Sequence, residues 1–257
     1  MKKVLLVLLT FVLAFSAFAC GETYTEVPEE DYAETLTEFV GEENELTVGI
    51  TNNVRIWMKE TESDGTTTEG ATVEMIYTGT GENLKVFIEM KEIVGTTTNL
   101  MIGSYITDGY IYAQTPNWTD PEGDPVKVKV PYSATTAEMM EIQNAVDALN
   151  AALERSIHID PSDAEFLASI GKLEISGNKG GDRKLRMTVT ETDEEYGITI
   201  TGTITIAFNK DNKVVGLEMN ATETETYDGE TTTSTVEMKI EACSNITFPS
   251  LEGFLEE

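Results

Sequence analysis

Residues 198–208 read Ile-Thr-Ile-Thr-Gly-Thr-Ile-Thr-Ile-Ala-Phe, so apolar and polar side chains alternate along nearly the whole stretch. Successive side chains of a β-strand point to opposite faces of a sheet, which places the isoleucines on one face and the threonines on the other. β-branched residues also favour strands. The stretch therefore predicts a strand of an antiparallel sheet that has one apolar face and one polar face.

The same period recurs on both sides of this stretch, at 46–58, 71–77, 84–90, 100–106, 185–189, 215–221 and 236–242. Asp108-Gly109 and Asp228-Gly229 are typical of hairpin turns, and 116–131 is interpreted as a loop. Two Thr-rich hairpins, Glu60–Met75 and Glu223–Met238, resemble each other, which fits either duplication or convergence. We expect about nine strands with Ile, Val, Leu and Met on their apolar side.

The middle of the chain changes its period to that of an amphipathic helix. Its apolar residues are spaced three or four apart, at Met139, Ile142, Val146, Leu149, Leu153 and Ile157. Shorter helices are predicted at 29–40 and 163–170. A sheet of this width is expected to curl and to need a cover on its concave face. The predicted fold is mainly β (α+β): a strongly curved antiparallel half-barrel wrapped on helix 134–157, forming one domain over 29–257 with the helix between two β halves.

This architecture leaves room for an apolar cavity. A helix is about 10 Å wide, whereas nine strands span roughly 40 Å, so helices need not fill the curl. The alternative is an ordinary filled core. Methionines make such a surface adaptable. The candidate lining residues are Val54, Ile56, Met58, Val73, Met75, Val86, Ile88, Met90, Met139, Ile142, Val146, Leu149, Leu153, Ile200, Ile204, Ile206, Leu217, Met219 and Met238.

The N-terminus has the pattern of an export signal. Lys2 and Lys3 precede a short apolar run, and Ala17-Phe-Ala19 forms a small-x-small cleavage site, so 1–19 are predicted to be removed. Cys20 follows directly, which is the position that bacterial lipoproteins acylate. We expect Cys20 to attach lipid and 20–28 to act as a tether. The alternative is cleavage by an ordinary signal peptidase that leaves Cys20 unmodified.

Composition excludes several classes of function. The formal net charge of −29 argues against nucleic acid and against binding to anionic headgroups. Cys243 is either a lone buried thiol or, if Cys20 is free, its disulfide partner. His158 is the sole histidine and has no ligand at metal-binding spacing, so no metal site is predicted.

No catalytic constellation is recognisable in the sequence. Ser156, His158 and Asp160 lie close together in sequence but lack a nucleophile elbow, and no phosphate-binding glycine loop occurs. Asp120–Asp124 is acidic but is interpreted as a solvated loop rather than a calcium loop. We therefore expect a protein that is not an enzyme and that uses no cofactor.

Several features of the chain occur together: the start ending at Cys20, the long amphipathic strands after a short helix, the hairpin Tyr105–Trp118, the hairpin Ile206–Leu217, and the terminal Ile246-Thr-Phe-Pro249. In these features the chain resembles the LolA/LppX-like bacterial lipoproteins, the lipoprotein-carrier half-barrels. The resemblance implies a curved antiparallel sheet wrapped on helices, with an apolar cavity that holds acyl chains. It carries over no catalytic residues and no ligand identity.

These observations favour a non-enzymatic lipoprotein of the cell envelope, exported and held at a membrane by its acylated N-terminus, that binds or carries a lipid or other apolar ligand. The alternative is a structural or surface-interaction lipoprotein with a filled core. A third alternative, an outer-membrane β-barrel, is opposed by the amphipathic middle helix and by the lack of aromatic girdles. The sequence names no protein partner.

Overall fold

The structure, a computed structural model, describes residues 23–40, 46–50, 53–79, 83–117, 119–120, 123–132, 151, 159–178, 180–193, 197–227 and 230–256. Helix α1 spans Tyr32–Val40 after a 3₁₀ turn at Glu29–Asp31, and α2 spans Ala164–Ser169. Both match the predicted short helices. The predicted signal sequence 1–19, Cys20 and, apart from Ala151, the predicted helix 134–157 lie outside the described residues.

Thirteen strands are present in the described part of the chain. Their bounds are β1 Thr25–Glu26, β2 Val54–Ser63, β3 Thr68–Thr78, β4 Lys85–Val94, β5 Thr97–Thr107, β6 Tyr110–Thr115, β7 Val126–Pro131, β8 Ile170–Gly177, β9 Arg183–Asp193, β10 Ile198–Phe208, β11 Val214–Tyr227, β12 Glu230–Ala242 and β13 Leu255–Glu256. The loop predicted at 116–131 is wrong at its end, because Val126–Pro131 alternates valine and lysine and joins the sheet as β7.

One sheet contains all of these strands, in the order β1-β8-β9-β10-β11-β12-β2-β3-β4-β5-β6-β7-β13. Strands β2 to β7 and strands β8 to β12 are two sequential antiparallel runs. The runs join where β12 pairs with β2, with Ile240 opposite Ile56. Only the short β13 is parallel to its neighbour. The prediction of a mainly β chain with a wide antiparallel sheet is therefore confirmed.

The sheet is neither closed nor strongly curled, in contrast to the predicted strongly curved half-barrel. Its outer strands, β1 and β13, lie at opposite ends of the strand order. Width alone supported the expected curl, but bulges are what bend a sheet sharply. The described strands shift register at only three places, after Ala207, after Met90 and after Ile170. The other pairings of these described strands run without a shift, so few bulges are present among them to bend the sheet.

The predicted tether 20–28 is in part a piece of the fold. Thr25 and Glu26 pair with Ile175 and Glu174 of β8. The amide of Val27 donates a hydrogen bond of 2.9 Å to the carbonyl of Leu173, and its side chain lies in the core. The chain is thus held to the edge of the sheet from Thr25 onward.

The first hydrophobic core lies between α1 and one face of the sheet, which we call the helix face. Leu36 and Phe39 of α1 are buried there with Leu185 of β9 and Ile206 of β10. The rings of Phe39 and Phe208 are 5.0 Å apart. Burial of these apolar side chains is the main stabilising contribution in this half of the sheet.

The second core lies on the opposite face, across β3 to β6. Each residue of the series Ile76, Phe87, Tyr105 and Tyr112 lies opposite the next on the adjacent strand, and all four are buried. Residues 243–256, which we call the strap, cover them with Cys243, Ile246, Phe248, Leu251 and Phe254. We call this side the strap face. The two halves of the sheet are therefore covered on opposite faces.

Candidate functional site

Strand register aligns apolar side chains into continuous rows on the helix face. One row is rich in methionine, and each residue in it lies directly opposite the next. It runs through Leu173, Met187, Ile204, Met219, Met238, Met58, Val73, Met90 and Ile102. A neighbouring row runs through Ile175, Leu185, Ile206, Leu217, Ile240, Ile56, Met75 and Ile88.

Burial falls steeply along the methionine row. Under α1, Leu173 is 0% exposed and Met187 is 3% exposed. Beyond the seam between β12 and β2, Met58 is 37% exposed, Met90 is 40% and Ile102 is 47%. The methionine row is thus buried in the core at one end and exposed to solvent at the other. We call the second end, Met58, Val73, Met75, Ile88, Met90 and Ile102, the open apolar patch.

The structure places every predicted lining residue that it describes on the helix face. Register brings together Val54, Ile56, Met58, Val73, Met75, Val86, Ile88, Met90, Ile200, Ile204, Ile206, Leu217, Met219 and Met238. Val54, Ile206 and Leu217 belong to the filled core with α1. Met139, Ile142, Val146, Leu149 and Leu153 lie outside the described residues. Ile102 was missed as a lining residue, although its place in the alternation 100–106 assigns it to this face.

Four carboxylates border the open apolar patch on the same face. Glu62 of β2 lies directly opposite Glu69 of β3, and Glu60 and Glu92 flank Ala71 from either side. All four are exposed. Among the described residues, none of them has a lysine or arginine within ion-pair distance. We call this group the acidic rim. Sequence reasoning missed it because carboxylates are so frequent in this chain.

A second candidate is a polar groove of about 490 Å³ on the strap face of β8 to β11. Its cations are already neutralised by neighbours. Glu174 accepts a hydrogen bond of 2.9 Å from Lys172 and lies 3.5 Å from Arg186. The bond from Lys172 lowers the pKa of Glu174. Arg186 also stacks at 3.5 Å on the ring of Tyr24. These groups stabilise the sheet edge, and their charges are not free for a ligand.

The described residues contain no cluster of His, Cys, Asp and Glu suited to a metal ion. None of the helices in this described part has the length and hydrophobicity needed to span a bilayer. Cys243 is a free thiol there, partly buried at the start of the strap. The feature that sets the molecule apart is therefore the open apolar patch with its acidic rim. No protein-family model matches the chain, and no curated protein matches its sequence.

Proposed function

We propose that this chain is a non-enzymatic, lipid-anchored protein of the bacterial cell envelope that binds a lipid or another apolar ligand on its helix face. The observation that carries the proposal is the open apolar patch. Met58, Met90 and Ile102 are exposed on the face whose other half forms the core. Apolar surfaces of this kind mark binding sites for ligands, partners or membranes.

The chemistry of the patch suits acyl chains. Each methylene group that leaves water for such a surface contributes about 0.8 kcal/mol. Methionine adapts its shape to flexible ligands because it is unbranched and polarizable. The patch itself has no charged side chain, so the part of a ligand that lies on it needs no polar groups. An apolar chain is the ligand that this surface fits.

We propose further that the predicted helix 134–157 lies over the helix face of this open sheet and holds the apolar ligand between itself and the sheet. The chain leaves the sheet after β7, where the Tyr132 amide donates to the Gly109 carbonyl. It re-enters at Ile159, which is buried in the core with α1. From β7 to β8 the strand order takes ten steps, or about 48 Å. A helix over 134–157 would measure about 36 Å, a length comparable with this span.

The N-terminal anchor fits this arrangement. An acylated Cys20 is only five residues before Thr25, which is paired with β8. The edge of the sheet at β1 and β8 is then held beside the membrane. Export, anchoring through Cys20 and the LolA/LppX-like resemblance together make transient storage or transfer of lipid the proposed activity.

Lipid extraction tests the proposal. Protein purified from membranes is expected to release bound lipid into organic solvent, and delipidated protein is expected to take up a fluorescent fatty acid or alcohol. The variant Met58→Asn with Met90→Asn should lose most of the uptake. Trp57→Asn is the control, because Trp57 is adjacent to Met58 in β2 but lies on the strap face. Absence of both bound lipid and uptake would reject the proposal.

A structural lipoprotein remains the second candidate, and the filled core beneath α1 favours it. Leu185 and Ile206 are 0% exposed there. If that packing continues over the whole face, no probe will enter. Crosslinking in membranes that captures a protein partner, together with no uptake of any probe, would support this function instead.

A further inference from the structure

We propose that the open apolar patch selects amphiphiles with a cationic head over those with an anionic head, and that the acidic rim makes this selection. The inference rests on the proposed function, since it specifies which apolar ligands the helix face accepts. It assigns the head of the ligand to Glu60, Glu62, Glu69 and Glu92 and its chain to the patch.

Geometry joins the two parts of this site. Along β2, Glu60 follows Met58 by two residues, and along β4, Glu92 follows Met90 by two residues. Two residues of a strand advance about 7 Å. A chain lying on Met58, Val73 and Met90 therefore brings its head within reach of the carboxylates. The remaining rim residues, Glu62 and Glu69, lie nearer the turn of the hairpin formed by β2 and β3.

Electrostatics sets the sign of the preference. Like charges directly opposite in a sheet are unfavourable, and Glu62 faces Glu69 in that way. In the described part of the chain no cation balances the rim. A cationic head relieves this repulsion, whereas an anionic head adds to it. Two partly screened charges about 7 Å from the patch and two about 14 Å from it yield about a tenfold preference for a cationic over a neutral head.

The test compares three ligands with the same chain. Dodecyltrimethylammonium and dodecyl sulfate are used below their critical micelle concentrations, and dodecanol is used below its solubility limit. Calorimetry on the mature protein should show the ammonium compound binding about tenfold more tightly than the alcohol, and dodecyl sulfate binding most weakly. The preference should shrink as salt is added, because salt screens exposed charges.

Variants separate the rim from the overall charge. The rim variant carries Glu60→Gln, Glu62→Gln, Glu69→Gln and Glu92→Gln. The control variant carries Glu29→Gln, Glu30→Gln, Glu218→Gln and Glu252→Gln, which are exposed carboxylates away from the patch. Both variants change the net charge equally. The rim variant should bind all three ligands with similar affinity, and the control should keep the preference.

Three outcomes would overturn the inference. Equal binding of the three ligands by the wild type would reject it and leave the proposed function standing. Equal loss of preference in both variants would assign the effect to net charge rather than to the rim. Failure of the wild type to bind even dodecanol would reject the proposed function itself, and the inference with it.

Discussion

The hydroxyl of Tyr105 donates a hydrogen bond of 2.7 Å to Oε1 of Glu89 on the neighbouring strand. Lys91 lies 2.6 Å from the other carboxylate oxygen. The Tyr105 ring is 1% exposed and packs 5.5 Å from Phe87 and 6.3 Å from Phe248 of the strap. This pair therefore fixes the centre of the second core, where strap and sheet meet.

Space for the Tyr105 ring depends on Gly103. A Cβ at position 103 would lie 2.5 Å from the Tyr105 hydroxyl and 3.0 Å from Cζ. We expect Gly103→Ala to lower the free energy of unfolding by about 2 kcal/mol, since overpacking a core forces side chains from their preferred rotamers. Urea unfolding measures this. Gly171→Ala is the control, because its nearest atom would be 3.7 Å away. Equal effects of the two variants would contradict the prediction.

The stability of the protein should fall at alkaline pH, in part through Tyr105. Burial raises its pKa, and the hydrogen bond to Glu89 and the charge of Glu89 raise it further. In the unfolded chain tyrosine titrates at about pH 10, so above that pH the unfolded state loses a proton that the folded state keeps. The contribution of Tyr105 to the free energy of unfolding is therefore fully present below this pH and declines above it.

Tyr105→Phe removes this titration. At neutral pH we expect it to cost about 1 kcal/mol through the lost hydrogen bond. Above pH ~10 its stability should decline less steeply than that of the wild type. Glu89→Gln keeps an acceptor but removes the charge, so its decline should be intermediate. Denaturant unfolding across this pH range is the measurement, and parallel curves for wild type and Tyr105→Phe would refute the assignment.

The strap should contribute measurably to stability. Phe254 contacts Tyr112 edge-to-face at 5.4 Å, and Lys127 lies 5.4 Å from its ring centre. Because Phe254 is partly buried, we expect Phe254→Ala to cost about 2 kcal/mol, less than in a full core. Leu255→Ala should cost less than about 0.5 kcal/mol, as Leu255 is 73% exposed. A thermal unfolding midpoint that both variants shift equally would show that the strap does not act through Phe254.

Arg183 joins α1 to the sheet. Its guanidinium lies 4.2 Å from the ring centre of Phe39 and donates 2.7 Å to Oδ1 of Asn212, whose amide donates to the carbonyl of Phe39. Lysine cannot reproduce the planar stacking and the fork of donors. We expect Arg183→Lys to destabilise the protein by about 1 kcal/mol, whereas Lys210→Arg at an exposed turn should be neutral in urea unfolding. A neutral Arg183→Lys would show that the Arg183 contacts carry no net stability.

The two ends of the apolar face should respond differently to truncation. Leu185→Ala is expected to cost about 3 kcal/mol because it opens a cavity in a closed core. Met90→Ala, on the exposed end, should cost less than about 1 kcal/mol yet weaken uptake of an apolar probe. Similar losses of unfolding free energy in both variants would show that the patch is core rather than binding surface.

The alternation of residues predicted most of the fold. The threonine and isoleucine sides of 198–208 are the two faces of β10, and cross-strand register confirms the same assignment for Met58, Val73 and Met90. The strap could not be predicted, because Ile246, Phe248 and Phe254 follow no regular period. The lack of strong curl was also beyond the sequence, since curvature depends on where bulges occur. The exposure gradient depends on which half α1 covers, which no local pattern encodes.

The pairing of β12 with β2 has a consequence for folding during synthesis. Every other pairing among β2 to β12 joins strands that are consecutive in the chain, whereas this one unites Ala242 with Val54. Until β12 has left the ribosome, the side of β2 that faces away from β3 is an unpaired edge, and such edges recruit foreign strands. Arg55, Lys59, Glu60 and Glu62 make it a highly charged edge. Charged side chains on an edge strand disfavour pairing with other chains, so we expect these residues to limit aggregation before β12 is in place.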